Sequence, residues 1–250
     1  MQQMKKLLLL IGFLSVTMNA QVKNKIIAKP KSQTAYKSIK INNYEWMTSN
    51  LNEKKFRNGD VIPQAQSKDE WAKASREAKP AWCYYQVEYS KIKKHGDPST
   101  GLYGVLYNWY AVNDSRKLAP VGWHIPSTDE WHDLFNYFGD LNPGTSKEIV
   151  PQLLSTKYWN DGYSDNYNGT NSSGFNALPG GERRDYGMFN DIGTTGIWWC
   201  SNIDNDRNVP YHIEIRYGDS ISSKVFDDGV WDDTSILPQG WGMSVRCVKD

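Results

Sequence analysis

The stretch "GWHIPSTDEW", residues 122–131, holds His124, Asp129 and Glu130, with His132 directly after it. Histidine and carboxylate side chains supply most acid–base chemistry and many metal ligands, and the rest of the chain offers few rivals. The spacing also has a local reading. With Ser127 as N-cap, Glu130 falls at the third helical position and can reach back to the cap's backbone N–H, while the Ser127 hydroxyl accepts from Glu130 N–H. Asp129 and Glu130 then occupy a first turn where the helix dipole favours negative charge. Trp131, Leu134, Phe135 and Phe138 follow at i, i+3, i+4 and i+7 and predict one apolar face, with Gly139 placed to end the helix. Ser127 and Glu130 are therefore assigned as a structural helix cap. A helix start between His124 and His132 makes a shared metal geometrically poor, and His124 is left without a catalytic partner.

The elements around this cluster begin with an export signal. Lys5 and Lys6 precede the apolar run "LLLLIGFLSVTM", and "MNA" ends in a small residue, so cleavage is expected after Ala20. The run is too short to span a bilayer, and no later segment is a candidate transmembrane helix. The expected location is secreted, periplasmic or at the cell surface. Residues 21–38 read as a lysine-rich polar tether, and residues 39–250 as one domain. The full chain carries 29 Lys and Arg against 28 Asp and Glu. Loss of the two lysines in the signal leaves a mature charge of −1, which argues against a nucleic-acid partner. Eleven Trp and fifteen Tyr predict an aromatic core more readily than an exposed aromatic platform.

A second capping box, Ser67 to Glu70, opens "SKDEWAKASREA". Alternation around Ile39, Ile41 and Trp46 predicts a strand, and "AWCYYQVEY" and "GLYGVLYNWYAV" have strand or short-helix character. From about residue 155 the chain turns rich in Gly, Asn, Ser and Asp, the composition of long ordered loops. "YHIEIRY" then alternates, with Tyr211, Ile213, Ile215 and Tyr217 on one face and His212 expected at the surface. The pattern predicts an α+β fold with a small, mostly antiparallel sheet closing near the C-terminus. An oxidising compartment suits one disulfide among Cys83, Cys200 and Cys247. Cys200–Cys247 is the first choice because both lie in strand-like runs of that sheet, with the other two pairings open.

Seven motifs occur in order: "EWMTSNL", "FRNGDVIP", "YGVLYNWYAVND", "LAPVGWHIPSTDEW", "GFNALPGGER", "GIWWCS" and "SVRCVKD". Together they resemble the Fibrobacter succinogenes major paralogous domain, a family of exported proteins common in Bacteroidetes-type genomes. The resemblance implies a C-type-lectin-like fold related to the formylglycine-generating enzymes, and no established activity. The family often has Cys where this chain has Ala119, and Ser or Thr where it has Cys200.

The lectin-like resemblance makes calcium a candidate cofactor. Asp161, Asp165, Asp204 and Asp206 are loop carboxylates of the type that binds it. "YWND" echoes a lectin triplet, although its partner triplet is missing. No reactive cysteine pair of the formylglycine-generating kind and no GxSxG or HExxH signature occurs, so catalysis is not expected. The expected function is a non-catalytic binding or adhesion module. Its partner would be an extracellular glycan or protein, met by C-terminal loops that carry Tyr163, Tyr167 and Arg183. The alternatives are an enzyme of the formylglycine-generating superfamily with an unrecognised site, or a structural subunit of an extracellular assembly.

Overall fold

The computed structural model describes residues 36–86, 96–139, 146–160, 169–216, 224–226 and 238–250. The expected signal peptide and nearly all of the tether lie outside these residues. So do the loop positions Asp161, Tyr163, Asp165 and Tyr167.

The alternation near Ile39 becomes a hairpin. Strand β1 (Ser38–Ile41) turns through Asn42, at a positive φ of 53°, into β2 (Tyr44–Met47). The first capping box caps helix α1 (Lys68–Arg76), whose only buried residue is Trp71. The aromatic segments give β3 (Trp82–Cys83), β4 (Leu106–Tyr107) and the short helix α2 (Trp109–Val112), capped by the Asn108 side chain. The opening motif supplies β5 (Trp123–His124) and helix α3 (Thr128–Phe138). Its capping box forms as the spacing predicts: Ser127 Oγ accepts from Glu130 N–H, and Glu130 accepts from Ser127 N–H. Trp131, Leu134 and Phe135 are buried, and Gly139 ends the helix at φ 145°. Helix α4 (Ser146–Leu153) follows.

The C-terminal half is strand and loop: β6 (Glu182–Arg183), β7 (Phe189–Asn190), β8 (Thr195–Asp204), β9 (Val209–Arg216), β10 (Lys224–Phe226) and β11 (Val248–Lys249). Among the described residues the strands form two larger antiparallel sheets, ordered β1-β2-β11-β5 and β10-β9-β8, and two two-stranded pairs, β3-β4 and β6-β7. The fold is α+β. No described helix is long and apolar enough to cross a membrane.

Side-chain alternation lets the long strand β8 divide the interior. Ile197 and Trp199 point into one cluster with Tyr107, Trp109, Met243 and Val245. Trp198 and Cys200 point into the other, with Trp46, Trp131 and Phe175. In that second cluster Trp131 lies 4.9 Å from Trp46 and 5.7 Å from Trp198, centroid to centroid. Eight tryptophans (46, 71, 82, 109, 131, 159, 198 and 199) are buried, so the aromatic residues chiefly build core.

The two-cluster interior corrects the expected disulfide. Cys200 belongs to the second cluster and Cys247 to the first, and all three cysteines are buried and outside any disulfide. Cys200 sits within β8, whereas Cys247 just precedes β11 of the other larger sheet, and the two side chains enter different clusters.

One buried cation ties the clusters together. Arg246, fully buried, donates to the main-chain carbonyls of Met47 (2.9 Å), Phe175 (2.8 Å) and Asn176 (3.3 Å). Its Nε and Nη2 also reach Asn50 Oδ1 at 3.0 and 2.7 Å. Asn50 in turn accepts from Trp198 Nε1 and donates to Tyr103 O. Each of those acceptors would otherwise be a buried polar group in need of a partner.

Candidate functional site

Two short sequences place charge on the polar face of a strand: Glu182-Arg183-Arg184 around β6, and Glu214-Ile215-Arg216 in β9. Residues i and i+2 share a face, so each glutamate and its arginine point the same way. Both pairs line one cavity of about 320 Å³, together with Asp191, His212 and Trp241. Ile197 of β8, opposite Glu214 in the ladder, contributes the apolar wall nearest the sheet.

Local structure explains why these groups converge. Gly181 enters β6 at φ 62°, and a Cβ there would lie 2.3 Å from Asn190 O, so only glycine allows the hairpin to close. Gly187 donates to Arg184 O at the tip, and Arg184 N–H donates to Met188 O. Arg183 exchanges two main-chain bonds with Gly242 (2.8 and 2.6 Å), which sets Trp241 beside Arg184. The Arg184 guanidinium then stacks 3.7 Å from the Trp241 ring centroid.

The charges divide into floor and rim. Glu182 and Glu214 have side chains only 3% and 4% exposed, whereas Arg184 and Arg216 are 31% and 45% exposed. Arg184 Nε meets Glu182 Oε1 at 2.6 Å, and Arg216 Nε meets Glu214 Oε1 at 2.7 Å. Burial pushes the Glu182 carboxyl up to about 7. Arg184 opposes that rise, while Asp191 and Glu214 add to it. The arrangement offers fixed donors at the mouth, fixed acceptors at the base and a partly exposed indole wall.

Arg183, one residue from Arg184, points the other way. It is 1% exposed and donates to the carbonyls of Ala65 (2.9 Å), Ser67 (2.8 Å) and Gly187 (3.2 Å), between the rings of Trp71 and Phe189. The expectation that Arg183 meets ligand is thereby corrected, because strand alternation buries it. His212, expected at the surface, is also buried. Both faces of β9 are covered, Ile213 and Ile215 by the second cluster and His212 and Glu214 toward the cavity.

The opening cluster forms a second cavity of about 340 Å³, walled in part by Trp109, Trp123 and Arg57. His124 has partners after all: Nε2 lies 2.7 Å from Glu130 Oε1, and Nδ1 lies 2.9 Å from Asp250 Oδ1. Burial pulls the imidazole pKa down, but the hydrogen bonds and charges of Glu130 and Asp250 outweigh it and leave it raised. Asp250 lies more than a hundred residues along the chain, so local spacing carried no sign of it. Glu130 remains committed to the cap through its other oxygen. The bracketed imidazole acts as a clamp between β5, the start of α3 and the end of β11.

The remaining candidates are also accounted for locally. Asp204 Oδ1 accepts from the N–H groups of Asp206 (2.9 Å) and Arg207 (3.1 Å), closing the β8–β9 turn. Among the described residues no group of three or more His, Cys, Asp and Glu side chains is placed to hold a metal. Burial pushes the Cys83 thiol up to about 11 and raises that of Cys247 further.

Glu182, Arg184, Glu214, Arg216 and Trp241 are not singled out by sequence reasoning, which places His212 at the surface. The available signal was the repeated Glu-x-Arg on the polar face of a strand-like run. Its meaning depends on two hairpins meeting, and no local pattern encodes that contact. The family model described as the Fibrobacter succinogenes major domain matches residues 39–249. No curated protein and no solved structure matches the chain.

Proposed function

The chain belongs to the Fibrobacter succinogenes major domain family, and from that premise we propose that it is an exported, non-catalytic binding module that recognises a carbohydrate in the Glu182/Glu214 cavity. The observation that carries the reading is the pair of buried carboxylate–guanidinium couples, contributed by two separate strands and set beside the partly exposed Trp241. Sugar hydroxyls and ring oxygens need donors and acceptors held in fixed directions, next to an apolar wall for the C–H face. Ion pairing holds both arginines and both glutamates, so little side-chain freedom is left to lose on binding.

The C-type-lectin-like assignment belongs to this proposal. It rests on the motif resemblance, and the pairing of Val248 with Trp46, which joins the last strand to the second, is compatible with it. An enzyme of the formylglycine-generating kind is disfavoured by the burial of all three thiols and by the upward shifts at Cys83 and Cys247.

A glycan array with the mature chain tests the reading, run beside Arg216→Ala and Trp241→Ala. The expected result is a defined set of bound glycans, lost in both variants while each still unfolds in one cooperative transition. An empty array, or a glycan signal indifferent to both substitutions, overturns it. Repeating the array in calcium and in chelator tests whether Asp204 and Asp206 serve as cation ligands.

A further inference from the structure

The cavity has an asymmetry that a neutral sugar alone does not use. Three carboxylates (Glu182, Asp191 and Glu214) face it, against the guanidiniums of Arg184 and Arg216. His212 and Trp241 complete the charged and aromatic lining. Each arginine commits its Nε to the glutamate two residues before it, and Arg184 lays its plane on Trp241. Glu182 and Glu214 are deepest, the two arginines are nearer solvent, and Asp191 is exposed at the edge. The lining as a whole therefore carries one carboxylate more than its arginines neutralise.

We infer that this cavity selects an amino sugar, seating a free primary ammonium at the carboxylate base while the sugar hydroxyls meet the arginines at the rim. The inference rests on the carbohydrate reading above and narrows it. An ammonium is compact and has three donors to share among converging carboxylates, whereas a guanidinium is flat and wider. Hydrogen bonds between charged partners are about twice as strong as neutral ones, and stronger still away from water. Burial and the neighbouring Asp191 and Glu214 already make Glu182 draw a proton near neutrality. An ammonium in the same place supplies the positive charge that the proton otherwise provides. Acetylation of the amine removes that charge and adds bulk, so the N-acetyl sugar loses both advantages.

Isothermal titration of the mature full chain in physiological salt distinguishes the outcomes, with four probes: a glucosamine tetrasaccharide, its N-acetylated form, the glucose tetrasaccharide of the same linkage, and trilysine. The amino form is expected to bind roughly tenfold or more tightly than the N-acetyl and glucose forms. Glu182→Gln is expected to bring that ratio to within about twofold. Glu214→Gln gives a second reading of the same effect should Glu182→Gln fold poorly. Equal binding of amino and neutral forms overturns the inference and leaves the carbohydrate reading standing. No binding of any sugar overturns both. Trilysine binding as tightly as the amino sugar shows a site for ammonium groups in general and overturns the sugar assignment. A preference that survives both glutamate substitutions removes it from this cavity.

Discussion

Arg183 and Arg184 are neighbours in the chain, yet they belong to two different physical regimes. Arg183, like Arg246, is enclosed by main-chain carbonyls and aromatic rings. Arg184, like Arg216, is paired with a buried carboxylate and remains partly exposed at a cavity. The carbonyl-bound pair organises backbone, because each guanidinium satisfies several acceptors that have no route to water. The carboxylate-bound pair organises charge, because its partners titrate and its outer face can meet a ligand. The distinction predicts that pH will affect the cavity and leave the framework alone.

The framework should show the largest loss. Arg246→Met takes this donor from the carbonyls of Met47, Phe175 and Asn176, at about 1–3 kcal/mol for each buried group left unsatisfied, whereas Asn50 Oδ1 keeps Trp198 Nε1. We expect about 4 kcal/mol or more of lost stability by urea unfolding, equal at pH 5 and pH 8, because carbonyls do not titrate. A loss that shrinks at pH 5 would erase the contrast between the two regimes.

Glu182 should give the next largest effect, with the opposite pH behaviour. Its folded pKa of about 7 stands above the ordinary value of 4.5, so the native state holds the proton more tightly. That contribution is fully present below pH 4.5 and is lost as pH rises toward and through 7. The shift corresponds to on the order of 3 kcal/mol. Glu182→Gln should remove this slope and exceed wild type in stability at pH 8, as read from melting temperature across pH 4–8. A wild-type profile that stays flat between pH 4.5 and 7 would show that the carboxyl is not desolvated as described.

Arg216→Met sharpens the comparison from the cationic side. Removing the guanidinium deprives buried Glu214 of its ion-pair partner, a change that costs about 2–3 kcal/mol when the carboxylate stays charged. The orphaned carboxyl should protonate more readily, so the cost should be largest at pH 8 and should fade toward pH 5. Measured side by side, Arg246→Met and Arg216→Met remove the same chemical group and should differ both in size and in pH dependence.

What could be read from sequence follows the range over which each feature is determined. Both capping boxes and the Trp131, Leu134, Phe135 face depend on residues within two turns, and they are where the spacing puts them. The α+β class and the family also follow from patterns along the chain. The site does not. Alternation in "YHIEIRY" identified the Ile213 and Ile215 face, but polarity on the other face was taken as exposure, whereas His212 and Glu214 are buried toward a cavity. Arg183 is expected in a ligand loop, but composition does not reveal which parity of the two-residue strand β6 faces inward, and Arg183 is the buried one. The Cys200–Cys247 expectation fails because strand-like sequence does not fix sheet membership: Cys200 lies in β8, Cys247 just precedes β11 of the other sheet, and their side chains enter different clusters. Asp250 beside His124 and Trp241 beside Arg184 are tertiary contacts with no local trace.

The smallest effect belongs to the second cavity, where a titratable group serves the framework. His124 is bracketed by Glu130 and Asp250, and although burial works against the charge, the two carboxylates raise its pKa. A raised histidine contributes stability that is fully present below about pH 6.5 and is lost as pH rises through the folded pKa. Its side chain is 40% exposed, so solvent screening limits the contribution to less than about 1 kcal/mol. Asp250→Asn should lower the His124 pKa in an NMR titration of the ring protons and slightly flatten the fall in melting temperature above pH 6.5. Glu130→Gln separates the two duties of that residue, because glutamine still completes a capping box while carrying no charge. The helix should therefore persist while the histidine shift shrinks. If Glu130→Gln instead unravels the start of α3 and leaves the His124 titration unchanged, the carboxylate serves the cap alone and the imidazole is held by Asp250.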